Sequence, residues 1–237
     1  ISKFSFKKVT PVPISAVNGE NIVDISKKMQ WYDGKPIFKI LENINIKQTE
    51  IKEKLRLPIQ FVNRLNSDFR GFSGTIASGD IKKGDKVSLL PNRTQAKINE
   101  IIVSGKKISS AKKNSAVTVT LDKEIDISRG DVLVKNNEPC EISNQFQCNL
   151  VWMNDTPGLI GRSYLMKIGH QNVGVQITSI KHIVNINSFE KLPGKTLELN
   201  DICVAEINLD KSIIFDEYKN NSSMGSFIII DKLTNHT

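Results

Sequence analysis

From Leu55 onward, apolar and polar residues alternate in short runs broken by Gly, Asp and Asn, the texture of antiparallel strands joined by tight turns. Val117, Val119 and Leu121 alternate with Thr118 and Thr120, so one face of that run is apolar and the other polar, as a half-buried strand requires. Ser78-Gly79-Asp80 and Lys83-Gly84-Asp85 place turn chemistry only a few residues apart. The pair Asn136-Asn137 and then Pro139 close this block. In a second strand-rich block Phe146, Cys148, Leu150 and Trp152 fall on one face. Further strands are expected over Tyr164–Ile168, Val173–Ile180, Ile202–Leu209 and Phe227–Ile230. Short strands at such spacing predict a barrel or sandwich, and no internal repeat links the two blocks.

The segment before Leu55 is patterned differently. Val9, Val12 and Ile14 make an apolar approach to an Asn18-Gly19 turn, read as the end of a strand. Gly34-Lys35-Pro36, followed by Ile37, Phe38, Ile40, Leu41 and Ile44 at helical spacing, predicts a short amphipathic connector helix. The charged run Lys47 to Lys54 reads as a linker into the strand-rich blocks.

Composition adds little chemistry but excludes several classes. With 39% hydrophobic and 24% charged residues the chain is an ordinary globular sequence. Its longest apolar runs, such as Phe227–Ile230, fall far short of the ~18 residues of a membrane-crossing helix. The opening Ile-Ser-Lys-Phe has neither an initiator Met nor a signal-peptide pattern, so the sequence is expected to be the remainder of a longer protein. Cys140, Cys148 and Cys203 form no CxxC pair and are expected to be buried, reduced, cytosolic thiols. The net charge is +8, but the basic residues are 27 Lys and only 6 Arg. Because Arg is the residue suited to phosphate forks and base stacking, this balance argues against specific nucleic-acid recognition.

Candidate catalytic chemistry is sparse. The stretch Asp68 to Val87, rich in glycine turns, contains no nucleophile, base or metal cluster. His170, His182 and His236 are scattered, without an acid or Cys at ligand spacing. Asp155-Thr156-Pro157-Gly158 has the letters of a magnesium and γ-phosphate motif. No G-x-x-x-x-G-K-[ST] phosphate loop precedes it and no Asn-Lys-x-Asp follows, so a turn before a strand is expected there. Phe146, Trp152 and Tyr164 read as core residues, not as a stacking platform for bases.

The spacing Gly74-x-Ile76-x-Ser78-Gly79-x-Ile81-Lys82-x-Gly84-Asp85-x-Val87 resembles the second, β-barrel domain of translational GTPases of the elongation factor Tu class. Pro58 to Arg64, Ile125 to Asp131, Leu150 to Met153, Gly161 to Tyr164, Lys195 to Asn200 and Ile230 to Asn235 narrow this further. Together with Met29 to Tyr32 they resemble, in order, the GTP-binding subunit of heterodimeric sulfate adenylyltransferase. Within that resemblance Ser15-Ala16-Val17 matches the loop at the end of the GTPase domain that offers backbone N–H groups to the guanine carbonyl.

The resemblance implies a mainly β fold, with two consecutive antiparallel β-barrels of the elongation factor Tu domain 2 and 3 type preceded by a short α/β remnant of a GTPase domain. Residues 1–30 would be that remnant, 31–54 a connector helix and linker, 55–139 the first barrel and 140–237 the second. It implies a cytoplasmic complex of sulfate assimilation that makes adenosine 5′-phosphosulfate and pyrophosphate from ATP and sulfate, with GTP hydrolysis driving the transfer. GTP and magnesium would belong to the full-length parent, and the partners would be a small catalytic subunit and the parent's own GTPase domain. The isolated chain, holding only the Ser15–Val17 stub and no catalytic or metal residue, is expected to be inactive. Two alternatives stay open: a translation-factor-like RNA-binding module, and a bifunctional parent that continues into an adenylylsulfate kinase.

Overall fold

The computed structural model describes residues 6, 8–44, 53–66 and 69–237, without the side chains of residues 65 and 66. Most of the expected linker over Lys47–Lys54 lies outside the described residues, as does Asp68 at the head of the glycine-rich stretch. The chain divides into two compact units, Ile1–Ile51 and Lys52–Thr237.

The smaller unit carries one helix, α1 (Ile37–Glu42), where helical spacing predicts it. Pro36 precedes it with φ −65°, the value its ring imposes and a helix start requires. Among the described residues the strand expected before Asn18 is not formed. Among the described residues of this unit there is only an isolated bridge, Ser15 to Glu20, because no neighbouring strand is present to complete a ladder. The segment is organised by a polar residue instead. Asn21 is fully buried; its Nδ2 donates to the Pro13 carbonyl at 2.9 Å and its Oδ1 accepts from the Ser26 N–H at 2.7 Å. None of the described Val, Ile, Leu, Phe, Met or Trp side chains of this unit is buried.

The larger unit is built of two antiparallel sheets in succession. The first sheet and its outlying ribbon use β1 (Leu57–Pro58), β2 (Phe61–Asn66), β3 (Phe69–Thr75), β4 (Asp80–Lys82), β5 (Lys86–Leu90), β6 (Thr94–Val103), β7 (Lys106–Ile108), β8 (Ser110–Lys112), β9 (Ala116–Leu121) and β10 (Val132–Lys135). The second region uses β11 (Glu141–Val151), β12 (Gly158–Leu159), β13 (Ser163–Ile168), β14 (Gln171–Val184), β15 (Lys191–Leu192), β16 (Thr196–Leu197), β17 (Ile202–Phe215), the short helix α2 (Ser222–Gly225) and β18 (Phe227–Ile230).

In the first sheet the neighbours run β1-β10-β5-β6-β9-β3-β2, and both ends of that path belong to one stretch of chain, Leu57–Asn66. β1 pairs with β10, the Ile59 N–H donates to the Asp131 carbonyl at 2.8 Å, and the Gln60 N–H donates to the Ser73 carbonyl at 2.8 Å. The sheet therefore closes on itself at Ile59 and Gln60. At this corner β3 crosses so close to β1 that a Cβ on Gly74 would be driven into the Pro58 carbonyl. The interior is filled by Leu55, Leu57, Ile59, Phe72, Ile76, Ile81, Val87, Leu89, Ile98, Val117 and Val119, all at most 3% exposed. Val117 and Val119 face inward, as the alternation in β9 predicts.

The second sheet runs β11-β17-β14-β13-β18, with every pair antiparallel. Phe146, Cys148, Leu150 and Trp152 face its interior as the alternation predicts, beside Tyr164, Met166, Val173, Val175, Ile177, Ala205 and Ile207. Strands β14 and β17 are each 14 residues long, longer than their apolar runs, because polar residues continue the ladder once the bulges at Ile177/Ser179 and Ile180/His182 re-aim the side chains.

Candidate functional site

Each sequence-level candidate has a definite place. Ser15, Ala16 and Val17 form a tight turn closed by Ser15 N–H to Glu20 O at 3.2 Å and Glu20 N–H to Ser15 O at 3.1 Å. Asn18 Nδ2 adds a 3.3 Å bond to Ser15 Oγ, and Val17 is 96% exposed. The Ser15 amide is thus already engaged within the turn. Asp155–Gly158 is also a turn, but one that serves the core. The Trp152 indole N–H donates to the Thr156 carbonyl at 2.9 Å, the Thr156 N–H donates to Asn154 Oδ1 at 2.9 Å, and the Trp152 ring packs so tightly on Gly158 that a Cβ there would approach it to 2.9 Å. Among the described residues no three His, Cys, Asp or Glu side chains gather as cation ligands. These residues do not fit a nucleotide phosphate and its magnesium, since Asp155 sits on a turn bound to Trp152 and no phosphate-cradling loop adjoins it.

The principal polar constellation lies where the two sheets meet, and no motif announced it. Arg56, beside β1, is 1% exposed and uses all five guanidinium N–H groups. Nε and Nη2 donate to the two oxygens of Asp216 at 2.8 and 3.0 Å, a bidentate fork reaching across 160 residues of chain. Nη1 donates to the carbonyls of Leu55 and Glu138 at 3.0 and 2.9 Å, and Nη2 also reaches the Pro139 carbonyl at 2.9 Å. On the far side Asn221 Nδ2 donates to Asp216 Oδ2 and to Ser78 Oγ, both at 3.1 Å, and Ser78 Oγ donates to the Lys54 carbonyl at 2.7 Å.

Electrostatics follow from that geometry. Burial raises the Asp216 carboxyl, but the hydrogen bonds and charge of Arg56, with Cys140 and Asn221, outweigh it and hold the group below its ordinary value. Cys140 Sγ donates to the Phe215 carbonyl at 3.0 Å and lies 3.4 Å from Asp216 Oδ1; burial, then the neighbouring carboxylate, push this thiol up to about 12. It therefore stays a neutral donor in the junction. The expectation that all three cysteines are buried needs correction: Cys203 is buried, whereas Cys140 and Cys148 are half-buried, because one borders the junction and the other an open strand edge.

Around this polar centre an apolar seal joins the sheets: Leu90, Val132 and Val134 from the first meet Ile214 and Met224 from the second, with Ala77, Cys140 and Ile142 packed against them. α2 delivers Met224, and Gly225 behind it comes so near the Asp216 carbonyl that a Cβ would lie 2.6 Å away. Breaking one partner of a buried, fully hydrogen-bonded ion pair costs about 3–5 kcal/mol, so the junction holds the two sheets as one body. Sequence reasoning missed it because Arg56 and Asp216 are unremarkable letters that only the fold brings together. The single hint was an Arg inside the apolar run Leu55 to Ile59.

Comparisons with known proteins agree with this architecture. The family described as GTP-eEF1A C-terminal domain-like matches residues 145–237. Sulfate adenylyltransferase subunit 1 of Shewanella woodyi is 42% identical over 98% of this chain and 50% of that protein. The proteins of the same name from Saccharophagus degradans and Aliarcobacter butzleri are each 41% identical, over 95% of this chain and 48% of the former, and 98% of this chain and 49% of the latter. The chain thus spans about half the length of the relatives it matches. Among solved structures, sup35 complexed with GDP superposes with a TM-score of 0.72 at 20% identity, covering 94% of this chain and 56% of that one. Elongation factor SelB from Methanococcus maripaludis gives a TM-score of 0.58 at 18% identity, over 76% of this chain and 40% of its own.

Proposed function

We propose that this chain, a homologue of sulfate adenylyltransferase subunit 1 with the fold of translational GTPases, is the coupling half of that GTP-binding subunit. The observation that carries the reading is the identity of about two residues in five across nearly the whole chain, joined to a fold whose two sheets are latched into one body. In this reading residues 1–30 are the remnant of a GTPase domain, 31–54 a connector, and 55–139 and 140–237 the two barrels. A body held by Arg56 and Asp216 shifts as a unit, so ordering of switch loops elsewhere in the subunit is transmitted to a partner without loss in an internal hinge. In this reading the phosphate-cradling and magnesium-binding groups belong to the rest of the parent, which agrees with the lack of a cation-ligand cluster among the described residues. Ser15, Ala16 and Val17 are the part of a guanine site that this chain retains.

The parent would use GTP and magnesium to drive formation of adenosine 5′-phosphosulfate and pyrophosphate from ATP and sulfate in the cytoplasm, beside a small catalytic subunit. The purified 237-residue chain is expected to release neither phosphate from GTP nor pyrophosphate from ATP and sulfate. Turnover of either nucleotide by the pure chain overturns the reading.

One observation favours a second reading. Residues 53–139 hold 16 Lys and Arg against 10 Asp and Glu, whereas 140–237 hold 8 against 10, so the positive excess of the larger unit sits on the first sheet. That distribution suits an RNA backbone. Titration with tRNA at rising salt separates the two: binding that persists near physiological ionic strength supports the RNA module, and its collapse at modest salt supports the sulfur enzyme.

A further inference from the structure

Asparagine is a thermolabile residue because its carboxamide is open to attack by the chain's own backbone. The amide nitrogen of the following residue bonds to the Asn Cγ and the bond from Cγ to Nδ2 breaks. Nδ2 leaves as ammonia, taking the proton given up by the attacking amide. Water then opens the five-membered imide to aspartate or to isoaspartate. Two conditions govern the step: the next side chain must not crowd the ring, and the next N–H must be free to attack.

Glycine meets the first condition fully and serine comes next. One Asn of the chain precedes Gly, namely Asn18, and four precede Ser: Asn66, Asn114, Asn187 and Asn221. Ser67 lies outside the described residues, which leaves three serine cases to set beside Asn18. In each of them the reacting groups are engaged. The Ser115 N–H donates to the Lys112 carbonyl at 3.1 Å, and the Ser188 N–H donates to Asn185 Oδ1 at 3.0 Å. Asn221 spends its Nδ2 on Ser78 Oγ and Asp216 Oδ2, both at 3.1 Å, so its carboxamide is held in the junction between the sheets.

Asn18 differs on every count. It is exposed, and Gly19 follows at φ +70° with open space where a Cβ would stand. The turn is closed by the N–H groups of Ser15 and Glu20, and the Gly19 N–H donates to no acceptor among the described residues. The carboxamide is restrained by a single exposed bond, from Nδ2 to Ser15 Oγ at 3.3 Å.

We infer that Asn18 is a site of spontaneous deamidation, with solvent water as the co-reactant. The inference holds whatever Ser15 to Val17 bind. The product places a new negative charge two residues from Glu20, whose carboxylate faces Lys28 at 3.3 Å. In isoaspartate the backbone runs through Cβ and Cγ, so the turn between Ser15 and Glu20 gains one chain atom and its two closing hydrogen bonds are displaced.

The test is incubation of the intact 237-residue chain in warm, mildly alkaline buffer, native and in urea, with peptide mapping by mass spectrometry. In the native chain Asn18 should convert about tenfold or more faster than Asn114, Asn187 and Asn221, because a bonded group must first be released and a Ser side chain crowds the ring. Urea should speed the other three and narrow that ratio. Gly19→Ala, with its fold checked by circular dichroism, should slow conversion of Asn18 about tenfold or more. An Asn18 that keeps its amide in the native chain overturns the proposal, whether or not urea releases it. So does native conversion of Asn114, Asn187 or Asn221 at the rate of Asn18, and so does a rate that Gly19→Ala leaves unchanged.

Discussion

The two sheets of the larger unit each bury an apolar interior but differ at their edges. If the continuous run Leu57–Asn66 is taken as one member, the first sheet has six members, and an even antiparallel ring closes. The second has five in its path, so its two end strands run the same way and could meet only as a parallel pair, which is not formed among the described residues. Core quality does not separate them: Tyr164, Met166, Ile207 and Ala205 are as buried as Phe72, Ile76, Leu89 and Val119. Closure is decided by strand count and by the corner where the ends meet. A good hydrophobic pattern leaves both matters open.

The largest expected effect falls on the junction that makes the two sheets one body. Arg56→Met leaves Asp216 buried without its cation and should lower the unfolding free energy by about 3–5 kcal/mol, measured by urea denaturation. It should also split a single unfolding transition into two, because each sheet has its own core. A single transition of unchanged midpoint would show that the apolar seal alone couples the sheets. pH sharpens the same test. The Asp216 carboxyl is depressed in the folded state, so its contribution is fully present above the ordinary carboxylate value of about 4 and is lost as pH falls through its lower folded value. In Arg56→Met burial prevails and the carboxyl rises above its unfolded value, so the sign reverses: the ionised group destabilises the fold at neutral pH, and the deficit relative to the wild type should shrink as pH falls through the raised value.

Closure of the first sheet is probed by Gly74→Val. A side chain there meets the Pro58 carbonyl at the corner, and the expected loss is about 3 kcal/mol, felt by both cores because the Arg56–Asp216 junction couples them. Near-ultraviolet circular dichroism reads that coupling, since both Trp152 and Tyr164 lie in the second core and should lose their signal at the same lowered urea concentration as the far-ultraviolet strand signal. A near-ultraviolet midpoint left at the wild-type value would mean that the sheets unfold independently.

All three cysteines lie in or beside the second sheet and report on it. Cys140 and Cys148 are pushed up to about 12 and Cys203 to about 11, in each case first by burial. Only the thiolate attacks, so alkylation at mildly alkaline pH should run roughly a thousandfold slower at Cys140 and Cys148, and roughly a hundredfold slower at Cys203, in the native chain than in urea. A fast thiol on native protein would mean that the open edge beside Cys148 breathes. The smallest effect is a control: Lys107→Ala removes an exposed ion pair with Glu100 on the first sheet and should change stability by less than about 1 kcal/mol.

Much of this molecule is legible in its letters, and the limits of that reading are particular. Period-two alternation located β9 and β11 and assigned their inward faces, the strand expected over Tyr164–Ile168 is β13, and proline with helical spacing located α1. The same reading predicted a strand before Asn18 that is not formed among the described residues, because an extended segment becomes a strand only when a partner accepts its hydrogen bonds. It placed Phe146, Trp152 and Tyr164 in the core correctly, yet gave no warning that half of the β11 edge borders open space.

What the sequence by itself determined is local: which residues extend, which faces are apolar, where turns fall, and, through ordered blocks from Pro58 to Asn235, which proteins the chain resembles. These follow from side-chain periodicity and backbone preference, each acting over a few residues. What only the tertiary structure decided is long-range. Arg56 meets Asp216, Gly74 passes the Pro58 carbonyl, and one sheet closes while the other keeps a seam. Pairings across so many residues depend on the order and number of strands in a sheet, and no window of alternating residues encodes that count.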